Sequence, residues 1–148
     1  MIIYFDMDGV LTNFKKRIEE YKVEGKQTDY DFWVSLEELL DKNVVLPLAS
    51  RYQVGIITAL PNKPKHAFDA ELGKTKWLND HYSGVFDPIY ITSDSKAQYC
   101  KPGDILIDNK QSNIDAWKSA GGIGIYFDGY TQSPRDLIGE LIPELSMA

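Results

Sequence analysis

Ile2-Ile3-Tyr4-Phe5-Asp6-Met7-Asp8-Gly9-Val10-Leu11-Thr12 opens on four apolar residues and then sets two carboxylates one residue apart, with glycine directly behind them. The apolar run reads as a short strand, and its lack of polar alternation suits burial on both faces of a parallel sheet. Alternate residues of a strand share a face, so Asp6 and Asp8 can point the same way at its carboxyl end. Open α/β sheets bind ligands at that end. Carboxylates this close repel, and a divalent cation with oxygen ligands, Mg²⁺ above all, relieves the repulsion. Alone, the pair is equally compatible with a solvated turn after an edge strand.

Working outward, strand-like runs recur at 53–57, 88–91, 104–107 and 123–127, each bounded by Gly, Pro, Asn, Asp or Ser. Helical periodicity fills the gaps. A helix over 30–42 places Phe32, Trp33, Leu36, Leu39 and Leu40 on one face. A helix over 64–82 carries Phe68, Leu72, Trp77 and Leu78, and Gly73 weakens its middle. A third, over 111–120, offers Ile114 and Trp117 and is stopped by Gly121-Gly122. The last is capped by Ser133 with Pro134 at its first position, turns Leu137, Ile138, Leu141 and Ile142 to the core, and is expected to end at Pro143.

Strands alternating with helices predict an α/β fold: a doubly wound, Rossmann-like parallel sheet of five strands in one domain spanning 1–148. The stretch from 13 to 52 is far longer than the ~10–12 residues a crossover needs. It includes the charged run Lys15-Lys16-Arg17-Ile18-Glu19-Glu20. A small helical cap over about 14–50, placed above the carboxyl end of the sheet, is the expectation; a surface excursion without a binding role is the alternative.

Composition narrows the partners. With 148 residues, 43% hydrophobic and 26% charged, the chain is long enough to bury a core. A net charge of −6 argues against a polynucleotide binder, because such affinity rests on Lys and Arg. A small phosphorylated substrate stays open, since it needs only local cations and a metal. The single cysteine, Cys100, cannot form an internal disulfide, which fits a reducing compartment. No apolar run is long enough to span a bilayer, and Met1 leads into the first strand without a basic n-region. A cytoplasmic protein with no membrane partner is expected; nothing in the sequence indicates its oligomeric state.

The other strand ends supply the chemistry. The second ends in Ile56-Ile57-Thr58, the fourth in Ile107-Asp108-Asn109, and Lys96 and Lys101 lie upstream of the latter. If these strands are neighbours, one pocket collects Asp6, Asp8, Thr58, a lysine and Asp108, a set suited to phosphoryl transfer. Mg²⁺ between Asp6, Asp108 and a phosphate oxygen would screen the repulsion between a carboxylate nucleophile and an anionic ester. Asp6 would attack phosphorus, and Asp8 would protonate the leaving oxygen and then activate water. Gly9 would allow a sharp turn, with backbone N–H groups of residues 7–9 cradling phosphoryl oxygens. Thr58 and a lysine would hold two more.

These residues resemble the motifs of the haloacid dehalogenase superfamily over nearly the whole chain. Asp6-Met7-Asp8-Gly9-Val10-Leu11 is similar to its motif I, Thr58 to motif II and Asp108-Asn109 to motif IV. The resemblance implies an aspartate nucleophile at Asp6, a proton-transferring Asp8 whose backbone carbonyl also ligates metal, and a phosphatase or phosphotransferase rather than a dehalogenase. Within the superfamily the chain resembles the 5'(3')-deoxyribonucleotidase family. Phe14 matches a phenylalanine following motif I, Phe32-Trp33 an aromatic cap pair that encloses the base, and Lys74 before Trp77 a helix whose lysine approaches phosphate. The likeness implies a (deoxy)ribonucleoside monophosphate as substrate, with base stacking worth about 1–3 kcal/mol. Lys96 has nearly the spacing of the motif III lysine in that family, and it is preferred over Lys101-Pro102, which sits too near the fourth strand. Asn109 departs from the usual second acid of motif IV and removes a negative charge from the metal's surroundings.

Blander readings accompany each choice. Phe32 and Trp33 suit ordinary cap core as well as stacking, Trp77 and Trp117 suit core better, and the isolated His66 and His81 are poor ligands. Gly121-Gly122-Ile123-Gly124 does not continue into a dinucleotide motif, because Phe127 stands where glycine is needed. Two rivals to an enzyme are a phospho-acceptor receiver domain and a catalytically weak phosphate-binding module.

Overall fold

Each apolar run forms a strand in the computed structural model, which describes residues 1–147; Ala148, the last of the expected 1–148 domain, lies outside the described residues. The strands are β1 (Ile2–Phe5), β2 (Gln53–Ala59), β3 (Ile89–Thr92), β4 (Ile105–Asp108) and β5 (Ile123–Tyr126). They form a five-stranded, all-parallel sheet in the order β3-β2-β1-β4-β5. Phe5 pairs with Ile56 on one side and Ile107 on the other. One step beyond that register, Asp6 comes level with Asp108. This order also disposes of the receiver reading, whose flavodoxin-like sheet runs 2-1-3-4-5.

Alternation along the strands builds two cores. Ile3, Phe5, Val54, Ile56, Ile105 and Ile107 face one side, and Tyr4, Ile57 and Leu106 face the other. The larger core is covered by α2 (Tyr30–Val34), α3 (Lys42–Ala49), α4 (Pro64–Tyr82) and α6 (Pro134–Ser146). On the opposite face α5 (Gln111–Ser119) lays down Ile114 and Trp117. Together with α1 (Phe14–Glu24), these are the helices of a Rossmann-like α/β fold. Trp77 and Trp117 are fully buried, and their indole N–H groups donate to the Leu36 and Asp104 carbonyls.

Two helical expectations are corrected. The helix over 30–42 stops at Val34. Residues 37–39 instead lie against the loop leaving β1: Asn13 N–H donates to the Glu37 carbonyl and Leu39 N–H to the Leu11 carbonyl, and Thr12 bridges Glu38 antiparallel. The apolar positions predicted for the helix are still buried at Phe32, Trp33, Leu36 and Leu40, so pairing across the chain overrides helical periodicity. The second correction is at Pro143, which lies inside α6 rather than ending it. Proline crowds the carbonyl four residues back. That residue is Gly139, yet the helix continues, held to the core by Leu137, Leu141 and Leu145, whereas Ile138 and Ile142, expected in the core, are exposed.

The stretch between β1 and β2 thus contains α1, α2 and α3. Of these, α2 packs on α4 at Gly73, where any side-chain carbon would run into Trp33. The glycine that weakens α4 in propensity lets the two helices meet. No helix among the described residues is long and apolar enough to cross a membrane.

Candidate active site

Beyond Phe5 the chain cannot continue as a strand, because Met7 accepts hydrogen bonds at its carbonyl from the N–H groups of Val10, Leu11 and Thr12 (3.0, 2.8 and 3.0 Å). This tight loop needs Gly9 twice over. Gly9 has φ +86°, and a Cβ there would collide with the Asn109 amide. The Gly9 N–H is occupied by the Thr12 carbonyl at 3.0 Å, so the expected cradle loses that donor. The N–H groups of Met7 and Asp8 have no acceptor among the described residues. From the far side, Gly129 N–H donates to the Gly9 carbonyl at 2.8 Å, and the Tyr130 hydroxyl accepts from Lys15 N–H at the start of α1.

The order β2-β1-β4 brings the remaining groups together. Asp6 from β1 and Asp108 from β4 flank Lys96, which comes from a 3₁₀ turn (Lys96–Tyr99) between β3 and β4. Its ammonium donates to Asp6 Oδ1 and Asp108 Oδ2 at 2.8 Å each. Asp108 is held further by Asn113 Nδ2 (3.0 Å) and Lys110 N–H (3.0 Å). Lys101 is exposed and makes no contact of this kind.

On the other side of β1, the Lys74 ammonium of α4 donates to Asp8 Oδ2 (3.1 Å), Thr58 Oγ (2.7 Å) and the Ala59 carbonyl (2.8 Å). Thr12 Oγ donates to the other Asp8 oxygen at 3.0 Å. Thr12, Asn113, Gly129 and Tyr130 escaped the sequence reading. Only Thr12 left a signal there, as a hydroxyl four residues after Asp8.

Burial governs the electrostatics. It pushes the Asp6 carboxyl up to about 7; Lys96 pulls it down, while Asp108 and Asp8 push it further up. Burial also works against the charge on Lys96, but Asp6 and Asp108 overcome it and hold the ammonium above its ordinary value. The two shifts are consistent, because one cation shared by two carboxylates cannot compensate both. With every carboxylate ionised, Asp6, Asp8 and Asp108 outnumber Lys74 and Lys96 by one negative charge.

A cavity of about 310 Å³ opens on Asp6, Asp8, Lys96 and Asp108, rimmed by Ser93, Asp94, Ser95, Asn109, Lys110 and Asn113. Phe14, Phe32, Trp33 and Thr58 are not in its lining. Phe32 is fully buried and Trp33 is 3% exposed, packed edge-on at 4.9 Å between ring centres, with Phe14 against both. The Trp33 ring lies 5.0 Å from the Lys74 ammonium. A larger groove of about 540 Å³ between α3 and α6 is mainly apolar and has none of the clustered carboxylates.

Among the described residues no three Asp, Glu, His or Cys side chains are grouped to hold a metal by themselves. The Asp8 carboxylate is engaged by Lys74 and Thr12, and Asp6 and Asp108 are the two carboxylates that share Lys96. That donor set fits Mg²⁺, which binds through one or two carboxylates and completes its shell with water and substrate oxygen.

The fold is that of an open Rossmann-like sheet with its polar groups at the switch point between β1 and β4. Over 95% of its length the chain matches 97% of a predicted HAD-like family hydrolase from Porphyromonas gingivalis, with 17% identity and a TM-score of 0.58. At that identity the likeness is one of fold. The HAD domain of the effector protein Lem4 from Legionella pneumophila, in an inactive mutant, matches more loosely (14% identity, 97% of this chain and 93% of that one, TM-score 0.47). No family model and no curated protein matches the chain.

Proposed function

We propose that this chain is a Mg²⁺-dependent phosphatase of the haloacid dehalogenase superfamily, hydrolysing a small phosphate monoester through an aspartyl phosphate on Asp6. The observation that carries this reading is the meeting of Asp6, Asp8, Thr58, Lys96 and Asp108 at the carboxyl ends of three adjacent strands. Lys96 and the free N–H groups of Met7 and Asp8 supply positive potential for phosphoryl oxygens. An Asp6 oxygen attacks phosphorus and the ester P–O bond breaks as the Asp8 carboxyl gives its proton to the leaving oxygen. The Asp8 carboxylate then takes a proton from the water that attacks the aspartyl phosphate, releasing phosphate and restoring Asp6. Asp6, Asp108 and the Asp8 backbone carbonyl would hold Mg²⁺, which when bound supplies charge that keeps Asp6 ionised and screens the phosphate.

For the substrate, the likeness of Phe14, Phe32-Trp33 and Lys74 to the deoxyribonucleotidase motifs supports a (deoxy)ribonucleoside monophosphate. Stacking on a base then requires α2 to move, because Phe32 and Trp33 are covered. The cavity's polar rim favours a second reading within the same chemistry, a small hydroxyl-rich ester such as a sugar phosphate. A panel of nucleoside monophosphates, sugar phosphates and p-nitrophenyl phosphate, assayed with Mg²⁺ and with chelator, tests both. Mg²⁺-dependent phosphate release, fastest with nucleotides, is expected. Release that is indifferent to chelator, or none from any ester, overturns the reading.

A further inference from the structure

The Lys74 ammonium has three N–H donors, and all three are in use: on Asp8 Oδ2, Thr58 Oγ and the Ala59 carbonyl. It is 1% exposed and has no donor left for a substrate oxygen. Its partners are the two groups on which the proposed chemistry depends. Asp8, its other oxygen fixed by Thr12, cannot turn away. Thr58, having accepted a hydrogen bond at oxygen, keeps its O–H to donate. The ammonium itself is seated from the cap side, where Trp33 lies 5.0 Å above it and neighbouring Gly73 lets α2 approach.

Resting on the phosphatase reading, we propose that Lys74 is a positioning residue that aims the Asp8 carboxyl at the leaving oxygen, with Thr58 and the Ala59 carbonyl anchoring its ammonium. A lysine that binds phosphate directly is a different role, with a different kinetic signature. Loss of a phosphate ligand weakens every ester alike. Loss of aim at Asp8 weakens only esters whose leaving group needs a proton.

Lys74→Met separates the two. kcat/KM reports steps up to departure of the alcohol, so it is compared for p-nitrophenyl phosphate, whose phenolate leaves unaided, and for an alkyl phosphate, whose alkoxide does not. The variant is expected to lose at least ~10²-fold on the alkyl ester, the scale of general acid catalysis, and under ~10-fold on the aryl ester. kcat should fall on both, because water activation is common to them. Asp8→Asn should show the same split, and adding Lys74→Met to it should cost no more than ~3-fold further, since the residues act as one unit. Equal losses in kcat/KM on both esters, or fully multiplicative losses in the double variant, overturn the proposal. Lys74→Arg keeps the charge but not the point geometry, and it is expected to show the same split at smaller size. It decides the matter should the methionine variant not fold. An inactive wild type, by contrast, overturns the phosphatase reading itself and this inference with it.

Discussion

Asp6 lies almost out of water beside two further carboxylates, sharing one ammonium with Asp108, and its acid is pushed up to about 7 from 3.8. A carboxyl raised on folding holds its proton longer in the native chain than in the unfolded one. Stability therefore falls as pH rises from about 4 to about 7 and is flat beyond. Asp6→Asn removes that penalty together with the proposed nucleophile. It is expected to abolish turnover, to melt above wild type at pH 8, and to lose that advantage near pH 4. Thermal melts of both proteins across this range check the sign; a gap that does not change with pH would refute it. At this scale the meeting of the candidate residues was legible, because strand ends announce Asp6, Asp8, Thr58 and Asp108. The choice of Lys96 over Lys101 rested on the resemblance to the deoxyribonucleotidases, and Lys96 contacts both Asp6 and Asp108. The partners of Lys74 were not legible, since nothing local couples residue 74 to residues 8 and 58.

Elements behave differently, because their ends depend on what they meet. The strands were readable as continuous apolar runs, and α4, α5 and the start of α6 from their apolar spacing and caps, whereas α1 and α3 were not delimited. The failures at 35–41 and at Pro143 have non-local causes: pairing with the loop after β1, and packing of Leu137, Leu141 and Leu145 on the core. Two glycines make the contrast measurable with one type of substitution. Gly→Ala inside a helix gains up to ~1 kcal/mol in propensity. At Gly139 nothing lies within reach of the added carbon, so Gly139→Ala should raise Tm by about 2–4 °C. At Gly73 the carbon meets Trp33 near its backbone, and overpacking costs ~1–3 kcal/mol. Gly73→Ala should therefore lower Tm by a few degrees. Calorimetry on both variants checks the opposite signs, and a stabilised Gly73→Ala would show that α2 and α4 do not meet as described.

The whole molecule is arranged around the seam between β1 and β4. From β1 the chain winds outward through β2 to β3, then returns across the sheet to β4 and out to β5. Asp6 and Asp108 stand on either side of that reversal, and Lys96 holds them together. A ligand seated there bridges the two halves of the sheet and binds only the folded chain, so its binding energy adds directly to stability. At a hundred times its dissociation constant a ligand contributes ~2.7 kcal/mol, which for a chain of this size is roughly 5–10 °C in Tm. Mg²⁺ with inorganic phosphate is accordingly expected to raise Tm by several degrees, chelator to remove the gain, and Asp108→Asn to lose most of it while retaining the fold. This measurement needs no turnover, so it tests the seam as a binding site independently of any substrate. An equal gain in Asp108→Asn and wild type would place the ion elsewhere and leave the carboxylate pair as a structural clasp around Lys96.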